Sequence, residues 1–178
     1  IPKLDVSMEA LSKMTYQETA YEVMKLFLSD FTEEELKHCI NGAYDDKFDT
    51  KEIAPLVKKD GAYYLELFHG STIAFKDMAL SILPHLMITS ARKNNIKNEI
   101  VILTATSGDT GSAVANGFLG VEGIHVYVLY PKGLVSPIQE CQFTTLGQNI
   151  TALEVDGTFD DCQALVKSAF MDAELNAH

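Results

Sequence analysis

Residues 99–111 have the sequence E-I-V-I-L-T-A-T-S-G-D-T-G, an apolar run that leads directly into a small, hydroxyl-rich and glycine-rich segment. A continuous apolar run of this length is typical of a strand that is covered on both faces, as in a parallel sheet. We therefore predict a strand over 99–104, a turn over 106–111 and a helix over 112–119. Glycines let the backbone approach a ligand, and the start of a helix presents free N–H groups to an anion.

The turn allows two interpretations. In the first, a loop made of Ser107, Gly108, Asp109, Thr110 and Gly111 (the 107–111 loop) binds a carboxylate or phosphate, with Asp109 turned aside or used as an acceptor. In the second, the segment is an ordinary strand-to-helix turn in which a hydroxyl caps the helix. The local residues leave both interpretations open.

Outward from this segment, strands and helices alternate. We predict strands over 63–68, 124–130 and 150–155, and helices over 73–89, 137–146 and from 158 onward, with Ala173 on the buried face of the last. Pro84 is expected to kink or break the 73–89 helix because proline has no N–H to donate. Strand–helix units in series indicate an α/β fold with a parallel sheet, and chemistry collects beyond the carboxyl ends of its strands. We expect the turns around Lys76 and over 106–111 to lie there.

The amino-terminal segment is predicted to be helical. Thr15–Glu18 and Thr32–Glu35 have the capping-box pattern, and apolar residues recur behind each box with the helical period. Asn41-Gly42 is expected to end the second helix. We divide the chain into a helical segment, 1–58, and an α/β segment, 59–178, which includes a small subdomain from about 89 to 178.

Lys76 is a candidate nucleophile at the start of a predicted helix. It follows Ile73-Ala74-Phe75, and desolvation by such neighbours favours the uncharged form of an amine, which can form a Schiff base. The alternative is a lysine that pairs with Asp77 or extends to solvent, and the local residues alone favour that alternative.

Composition and motif spacing exclude several function classes. The chain has 178 residues and a formal net charge of −11, which disfavours binding to nucleic acid or to an anionic membrane surface. No apolar run is long enough to cross a bilayer. Dinucleotide, P-loop and hydrolase-elbow patterns are missing. The histidines, at positions 38, 69, 85, 125 and 178, lack metal-ligand spacing, so we predict no metal. The cysteines, at positions 39, 141 and 162, lie far apart, which indicates reduced thiols in a cytoplasmic protein.

Five stretches, in order along the chain, resemble threonine synthases. They are L-F-H-G-S-T-I-A-F-K-D over 67–77, L-T-A-T-S-G-D-T-G over 103–111, Y-P-K-G over 130–133, S-P-I-Q-E over 136–140 and G-T-F-D-D-C-Q over 157–163. The resemblance covers nearly everything from about residue 60 onward. Ser71 departs from the family pattern, in which a proline is frequent, and the change loosens the turn without touching a reacting group.

The resemblance implies the tryptophan-synthase-β-like fold, three α/β/α layers around a parallel sheet, with pyridoxal 5′-phosphate as cofactor. It implies conversion of O-phospho-L-homoserine and water to L-threonine and phosphate. Carried over by position, Lys76 would form the Schiff base with the cofactor and later move protons, and the 107–111 loop would face the cofactor ring and the substrate carboxylate. Many relatives have asparagine at the position of Asp109, near the ring hydroxyl of the cofactor, whereas aspartate is usual in threonine synthases.

The chain opens at Ile1 without a methionine, and no glycine-rich loop that could hold the cofactor phosphate follows Gly117. We therefore expect a piece of a longer protein that lacks half of the cofactor cradle and, by itself, binds cofactor weakly and turns over little or nothing. Two alternatives stay open: another pyridoxal-phosphate-dependent phospholyase or dehydratase of the same fold, and a non-catalytic anion-binding module. The sequence does not determine the oligomeric state.

Overall fold

Two groups of elements follow one another along the chain. The computed structural model describes residues 1–175, which divide into a first unit, Ile1–Ile96, and a second unit that begins at Lys97. The first unit contains α1 (Met8–Leu11), α2 (Tyr16–Met24), α3 (Glu33–Ala43), β1 (Leu56–Lys59), β2 (Ala62–Leu65), α4 (Asp77–Leu80) and α5 (Leu83–Lys93). The second unit contains β3 (Ile100–Ala105), α6 (Asp109–Phe118), β4 (Ile124–Pro131), α7 (Pro137–Thr144), β5 (Ile150–Val155) and α8 (Phe159–Met171).

Both capping boxes predicted for the amino-terminal helices are confirmed. The Thr15 hydroxyl accepts the N–H of Glu18, and the Glu18 carboxylate accepts the N–H of Thr15. Thr32 and Glu35 make the same reciprocal pair at the start of α3. Each pair satisfies two of the N–H groups that the first turn of a helix leaves without an intrahelical acceptor, so α2 and α3 begin at defined residues.

The core of the first unit lies between its early helices and α5. Its buried members come mainly from α3 and from the chain just after it: Leu36, Cys39, Ile40, Ala43, Tyr44, Phe48, Ile53 and Ile82. Side chains of α2, together with Met78 and Leu86, pack against this cluster. Burial of one leucine or isoleucine side chain contributes about 1.5–3 kcal/mol, so Leu36 and Ile40 on the apolar stripe of α3 add substantially to the stability of this unit.

The prediction that Asn41-Gly42 ends the second helix is wrong. Helix α3 continues to Ala43, with Gly42 inside its last turn. A Cβ atom at Gly42 would lie 2.7 Å from Cε1 of His85 on α5, closer than real Cβ atoms approach. The glycine therefore permits the close packing of α3 against α5. Burial lowers the pKa of His85 because it disfavours the charged imidazolium.

The strand predicted over 63–68 is shorter and belongs to a different kind of sheet. Strand β2 ends at Leu65 and pairs antiparallel with β1, a strand that was not predicted from the sequence. Asp60-Gly61 connects them, with φ angles of 50° and 80°, as a two-residue hairpin turn demands. Strand β1 straddles the predicted boundary at residue 58. The turn around Lys76 therefore follows an antiparallel hairpin rather than a strand of a parallel sheet. Its expected place beyond the carboxyl ends of parallel strands stays a prediction, because the parallel sheet belongs to the second unit.

Proline breaks the helix predicted over 73–89, as expected. Helix α4 ends at Leu80, and α5 starts at Leu83 with Pro84 in its first turn. Proline is tolerated in a first turn because the N–H that it lacks would have no intrahelical acceptor there. The segment that follows Lys76 is consequently one short helix rather than a long one.

The second unit confirms the α/β prediction. Its three strands form a parallel sheet in the order β3-β4-β5, with Ile100 paired to Ile124 and Val126 paired to Ile150. Helices α6, α7 and α8 alternate with the strands. Helix α6 begins at Asp109, three residues before the predicted start, whereas α8 ends at Met171, so Ala173 is not on its face.

Burial in this sheet is less complete than predicted. The central strand β4 is largely buried, but Val101 on β3 and Leu153 on β5 are 53% and 42% exposed. The reason is position: β3 and β5 each have one strand neighbour among residues 1–175. An apolar side chain at such a strand is covered only where a helix lies over it. None of the helices within residues 1–175 is long and apolar enough to span a membrane. Of the five histidines, His178 lies outside the described residues.

We predict that Gly42→Ala lowers the stability of the chain, although alanine is the better helix former by about 1 kcal/mol. The added methyl group meets the His85 ring, and overpacking of this kind costs about 1–3 kcal/mol. Asn41→Ala is the control, because Asn41 is exposed on the same helical turn. Urea unfolding should place the Gly42 variant below wild type and the Asn41 variant at or above it. Equal stabilities of the two variants would show that the methyl group is accommodated without a clash.

Candidate active site

Lys76 is the residue that immediately precedes α4 in the first unit. Its side chain is half-buried, and Nζ lies 4.4 Å from the centre of the Phe75 ring. Lys76 lines a mainly apolar groove of about 550 Å³ together with residues that include Leu65, Leu67 and Met78. None of the ion pairs formed within residues 1–175 involves Lys76. The amine is thus placed beside an apolar surface without a carboxylate partner from this part of the chain.

Asp77 does not pair with Lys76, contrary to the alternative considered from the sequence. Its side chain turns inward, where the residue is 3% exposed. One carboxyl oxygen accepts the Thr72 N–H at 2.8 Å and the other accepts the Thr72 hydroxyl at 2.6 Å. These two bonds close residues 72–77 into a loop, here called the Thr72–Asp77 clasp, and Lys76 is carried on it.

The backbone of the clasp is tightly wound. A Cβ atom at Gly70 would lie 2.5 Å from Cβ of Asp77, so only glycine fits there. Ile73 has a φ angle of 63°, a left-handed conformation that is unfavourable for a β-branched residue and costs about 1–3 kcal/mol. The two hydrogen bonds of the clasp span this strained residue and bury the Asp77 carboxyl next to the candidate nucleophile.

The amino-terminal helices brace the same segment. Tyr44, at the end of α3, donates its hydroxyl to the carbonyl of Met78 on α4 at 2.8 Å. The rings of Tyr44 and Tyr16 meet edge to face at 4.8 Å, and burial raises the pKa of both phenols, so they remain donors. The side-chain amide of Gln17 donates to the Tyr44 carbonyl at 2.6 Å. The helical segment therefore supports the lysine turn through defined hydrogen bonds as well as through apolar packing.

His69 joins two loops that precede the clasp. Its ring nitrogens lie 2.9 Å from a Glu66 carboxylate oxygen and 2.5 Å from a carboxylate oxygen of Asp49. Hydrogen bonds to Glu66 first, and then to Asp49, raise the pKa of the imidazole because both partners stabilise its protonated form. Both ring nitrogens are hydrogen-bonded to carboxylates, which gives His69 a structural role in joining these loops.

Thr106 anchors the 107–111 loop in the second unit. The residue is buried, and its backbone N–H extends the sheet by donating to Leu129. Its hydroxyl accepts two N–H groups of the loop, from Gly108 at 2.9 Å and from Gly111 at 2.8 Å. A Cβ atom at Gly111 would lie 2.5 Å from the Thr106 side chain, so this glycine lets α6 begin close against the strand.

The anchored loop leaves a set of donors for a ligand. Within residues 1–175, the N–H groups of Ser107, Asp109 and Thr110 donate to no protein acceptor. They lie at the start of α6, where the helix presents a partial positive charge, and hydroxyls of Ser107 and Thr110 belong to the same loop. Such a donor set suits a carboxylate or a phosphate. The hydroxyl cap of the ordinary-turn interpretation is present as well, supplied by Thr106.

Asp109 is turned toward α7, one of the two options that the sequence left open. Its carboxylate accepts a hydrogen bond from the side-chain amide of Gln139 at 2.5 Å. Ser112 also connects the 107–111 loop to α7, because its hydroxyl lies within hydrogen-bond distance of the backbone carbonyls of Gly108 and Gln139.

Comparisons with known proteins cover nearly the whole length of the chain. A family model described as the threonine synthase N terminus matches residues 1–44, the helical part that the five motifs do not reach. Threonine synthase of Saccharomyces cerevisiae is 40% identical over 93% of this chain, and that of Schizosaccharomyces pombe is 43% identical over 99%. The resemblance to threonine synthases is confirmed. The chain spans 35% and 36% of the lengths of these two relatives.

Solved structures of threonine synthases share the fold. The yeast enzyme superposes with a TM-score of 0.89 at 39% identity, over 99% of this chain and 38% of its own. A PLP-bound threonine synthase from Brucella melitensis gives 0.86 at 35% identity, over 95% of this chain and 37% of its own. The chain therefore has the fold of one part of a threonine synthase, as the tryptophan-synthase-β-like prediction required.

The predicted site residues of this threonine-synthase-like chain fall in two units. Lys76 belongs to the first and the 107–111 loop to the second, so the expectation that they face one another stays a prediction. Three further contributors, Thr106, Gln139 and Asp77, were not identified from the sequence. A signal was available for all three, because Asp77 and Gln139 lie inside motifs that resemble the family, and Thr106 is the first hydroxyl after the strand.

We predict that Thr72→Val destabilises the chain by about 1–3 kcal/mol, because it leaves a buried carboxyl oxygen of Asp77 without its hydroxyl donor. Thr72→Ser keeps both donors and is the matched control. Chemical unfolding should show a clear decrease in the free energy of unfolding for Thr72→Val and a smaller decrease for Thr72→Ser. If the two variants unfold at the same denaturant concentration, the hydroxyl bond does not hold the turn.

We predict that the stabilising effect of His69 depends on pH. The raised pKa means that the folded chain keeps its imidazole proton to higher pH than the unfolded chain, whose histidine titrates near ~6.5. Stabilisation is complete below that value and is lost as pH rises through the folded-state pKa. The difference in thermal midpoint between wild type and His69→Gln should therefore shrink from pH ~6 to pH ~9. Glu66→Gln should move the loss to lower pH, and a pH-independent difference would disprove the assignment.

Proposed function

We propose that this chain is part of a threonine synthase, a pyridoxal-phosphate-dependent lyase of threonine biosynthesis. The reaction would convert O-phospho-L-homoserine and water to L-threonine and phosphate. The observation that carries the proposal is an amine without an ion-pair partner in residues 1–175, held on a closed turn inside a motif that resembles the lysine motif of this family. Similarity to threonine synthases over nearly the whole chain supports it.

The cofactor proposal rests on whether the chain offers groups that fit it. Pyridoxal 5′-phosphate, when bound, supplies an aldehyde for an amine to attack and an electron sink for carbanion chemistry. Lys76 has the required primary amine at the edge of an apolar groove, where water competes less for it. The 107–111 loop has N–H donors that suit an anionic group. We propose that these residues hold the cofactor and the substrate carboxylate.

In this proposal Lys76 has two tasks. Its primary amine would hold the cofactor, and the same amine would accept and return protons as a general base and acid once substrate is bound. A lysine on a short helix start, fixed by the Thr72–Asp77 clasp, keeps its backbone in place while its long side chain moves between these positions. Positioning by the clasp thus meets the geometric demand of proton transfer.

The 107–111 loop would hold the substrate by its carboxylate. Three N–H groups and the dipole of α6 attract that charge, and their fixed geometry costs no reorganisation when substrate binds. We further propose that the protein acts in the cytoplasm on a small molecule and uses neither nucleic acid nor membrane as partner. Its acidic composition and its three free cysteines support this.

Borohydride reduction of the full-length protein with its cofactor tests the proposal. We predict that peptide mapping finds the reduced adduct on the peptide that contains Lys76. Lys76→Ala should lose the label and at least a thousandfold of the turnover of O-phospho-L-homoserine. Lys167→Ala, an exposed lysine on α8, is the matched control and should keep both.

Product analysis separates this function from its alternatives. Equal amounts of L-threonine and phosphate are expected. An oxo-acid with ammonia would instead identify a phospholyase or dehydratase of the same fold. A protein that takes no label on any lysine, yet binds anions through the 107–111 loop, would be a non-catalytic module.

A further inference from the structure

Gln139 has an unusual arrangement at the start of α7. Ser136 and Gln139 occupy the two ends of a capping-box pattern, in which the glutamine side chain normally bonds the N–H of the first residue. Here Oε1 of the Gln139 side chain accepts the Ser136 hydroxyl at 2.8 Å instead, and Nε2 of the same side chain donates to the Asp109 carboxylate at 2.5 Å. The side chain of Gln139 therefore links the first residue of its own capping pattern to the 107–111 loop.

Gln139 and the loop are in direct contact. A Cβ atom at Gly108 would lie 2.5 Å from Oε1 of Gln139, and Gly108 has a φ angle of 143° that disfavours other residues. The side chain of Gln139 thus lies on the loop backbone, beside the residue whose carboxylate it binds. Ser136 fixes one end of this amide, so the other end can restrain Asp109.

Asp109 is the nearest competitor for the anion-binding donors of the loop. It is the first residue of α6, where a carboxylate is attracted to the free N–H groups of the first turn. A tethered carboxylate has an effective concentration of the order of millimolar or more, enough to compete with a free ligand. The Gln139 amide removes it from that competition by giving it a charge-assisted hydrogen bond elsewhere.

We propose that Gln139 is a positioning residue that holds the Asp109 carboxylate away from the loop amides and so reserves them for the carboxylate of an amino-acid ligand. The nature of the ligand rests on the proposed function, whereas the position of Asp109 does not. The proposal makes Gln139 necessary only while position 109 carries a negative charge.

The test compares two ligands of the full-length protein by calorimetry: L-threonine, and L-threoninamide, which lacks the carboxylate. Gln139→Leu should weaken the binding of L-threonine at least tenfold and leave the binding of L-threoninamide unchanged. Gln163→Leu, a glutamine on α8, is the matched control and should change neither. In Asp109→Asn, adding Gln139→Leu should cost nothing further, because no competing charge remains.

Three results would overturn the proposal: unchanged binding of L-threonine by Gln139→Leu, an equal loss for both ligands, or a tenfold loss that persists in the double variant. A crystal structure of the Gln139→Leu protein tests the position of Asp109 independently of the substrate. The Asp109 carboxylate is expected on an N–H group of the loop, and a carboxylate that stays where it is would refute the proposal. If wild type binds no L-threonine but Asp109 moves as expected, the proposed function fails and the role of Gln139 stands.

Discussion

The Thr106 hydroxyl makes the interaction on which the candidate anion site depends. By accepting the N–H groups of Gly108 and Gly111 it uses two of the donors at the start of α6, whereas those of residues 107, 109 and 110 have no protein acceptor among residues 1–175. A buried hydroxyl with two strong partners is rigid, since moving it would leave three polar groups unsatisfied. The glycines follow from the same bond, because side chains at 108 or 111 would collide with Gln139 or with Thr106.

In the first unit, a carboxyl group fixes the conformation of the candidate segment in a similar way. Asp77 accepts both donors of Thr72 and thereby closes the turn that carries Lys76, and the strained backbone of Ile73 is held in that closed turn. In both units, then, a short-range side-chain-to-backbone hydrogen bond shapes the segment that holds the candidate site residues, while the helices or strands around it provide the support. Tyr44 and Gln17 extend this support to the amino-terminal helices, which sequence patterns alone show only as an apolar layer.

Much of the fold could be predicted from local patterns. The two amino-terminal capping boxes, the break at Pro84, and the strands over 100–105, 124–131 and 150–155 follow from neighbouring residues, and each is present. The predictions failed where the conformation of a residue depends on contacts with residues distant in the sequence. Gly42 resembles a helix stop in the sequence, but in the structure its missing side chain makes room for the His85 ring. The strand at 62–65 pairs with a segment that was not predicted to be a strand, across a hairpin turn at Asp60-Gly61. The partial exposure of β3 and β5 depends on which strands and helices lie beside them, which no local pattern states.

The amino-acid sequence by itself determined the family resemblance, the α/β class and the identity of Lys76 and the 107–111 loop as candidates, because motifs, periodicity and residue chemistry are properties of neighbouring residues. Only the tertiary structure decided which hydrogen bonds these residues make. Asp77 binds Thr72 rather than Lys76, Asp109 binds Gln139 thirty residues away, and His69 is occupied by two carboxylates. A side chain with several possible partners takes the one that the packed backbone brings within hydrogen-bond distance, and that distance is set by the whole fold of each unit.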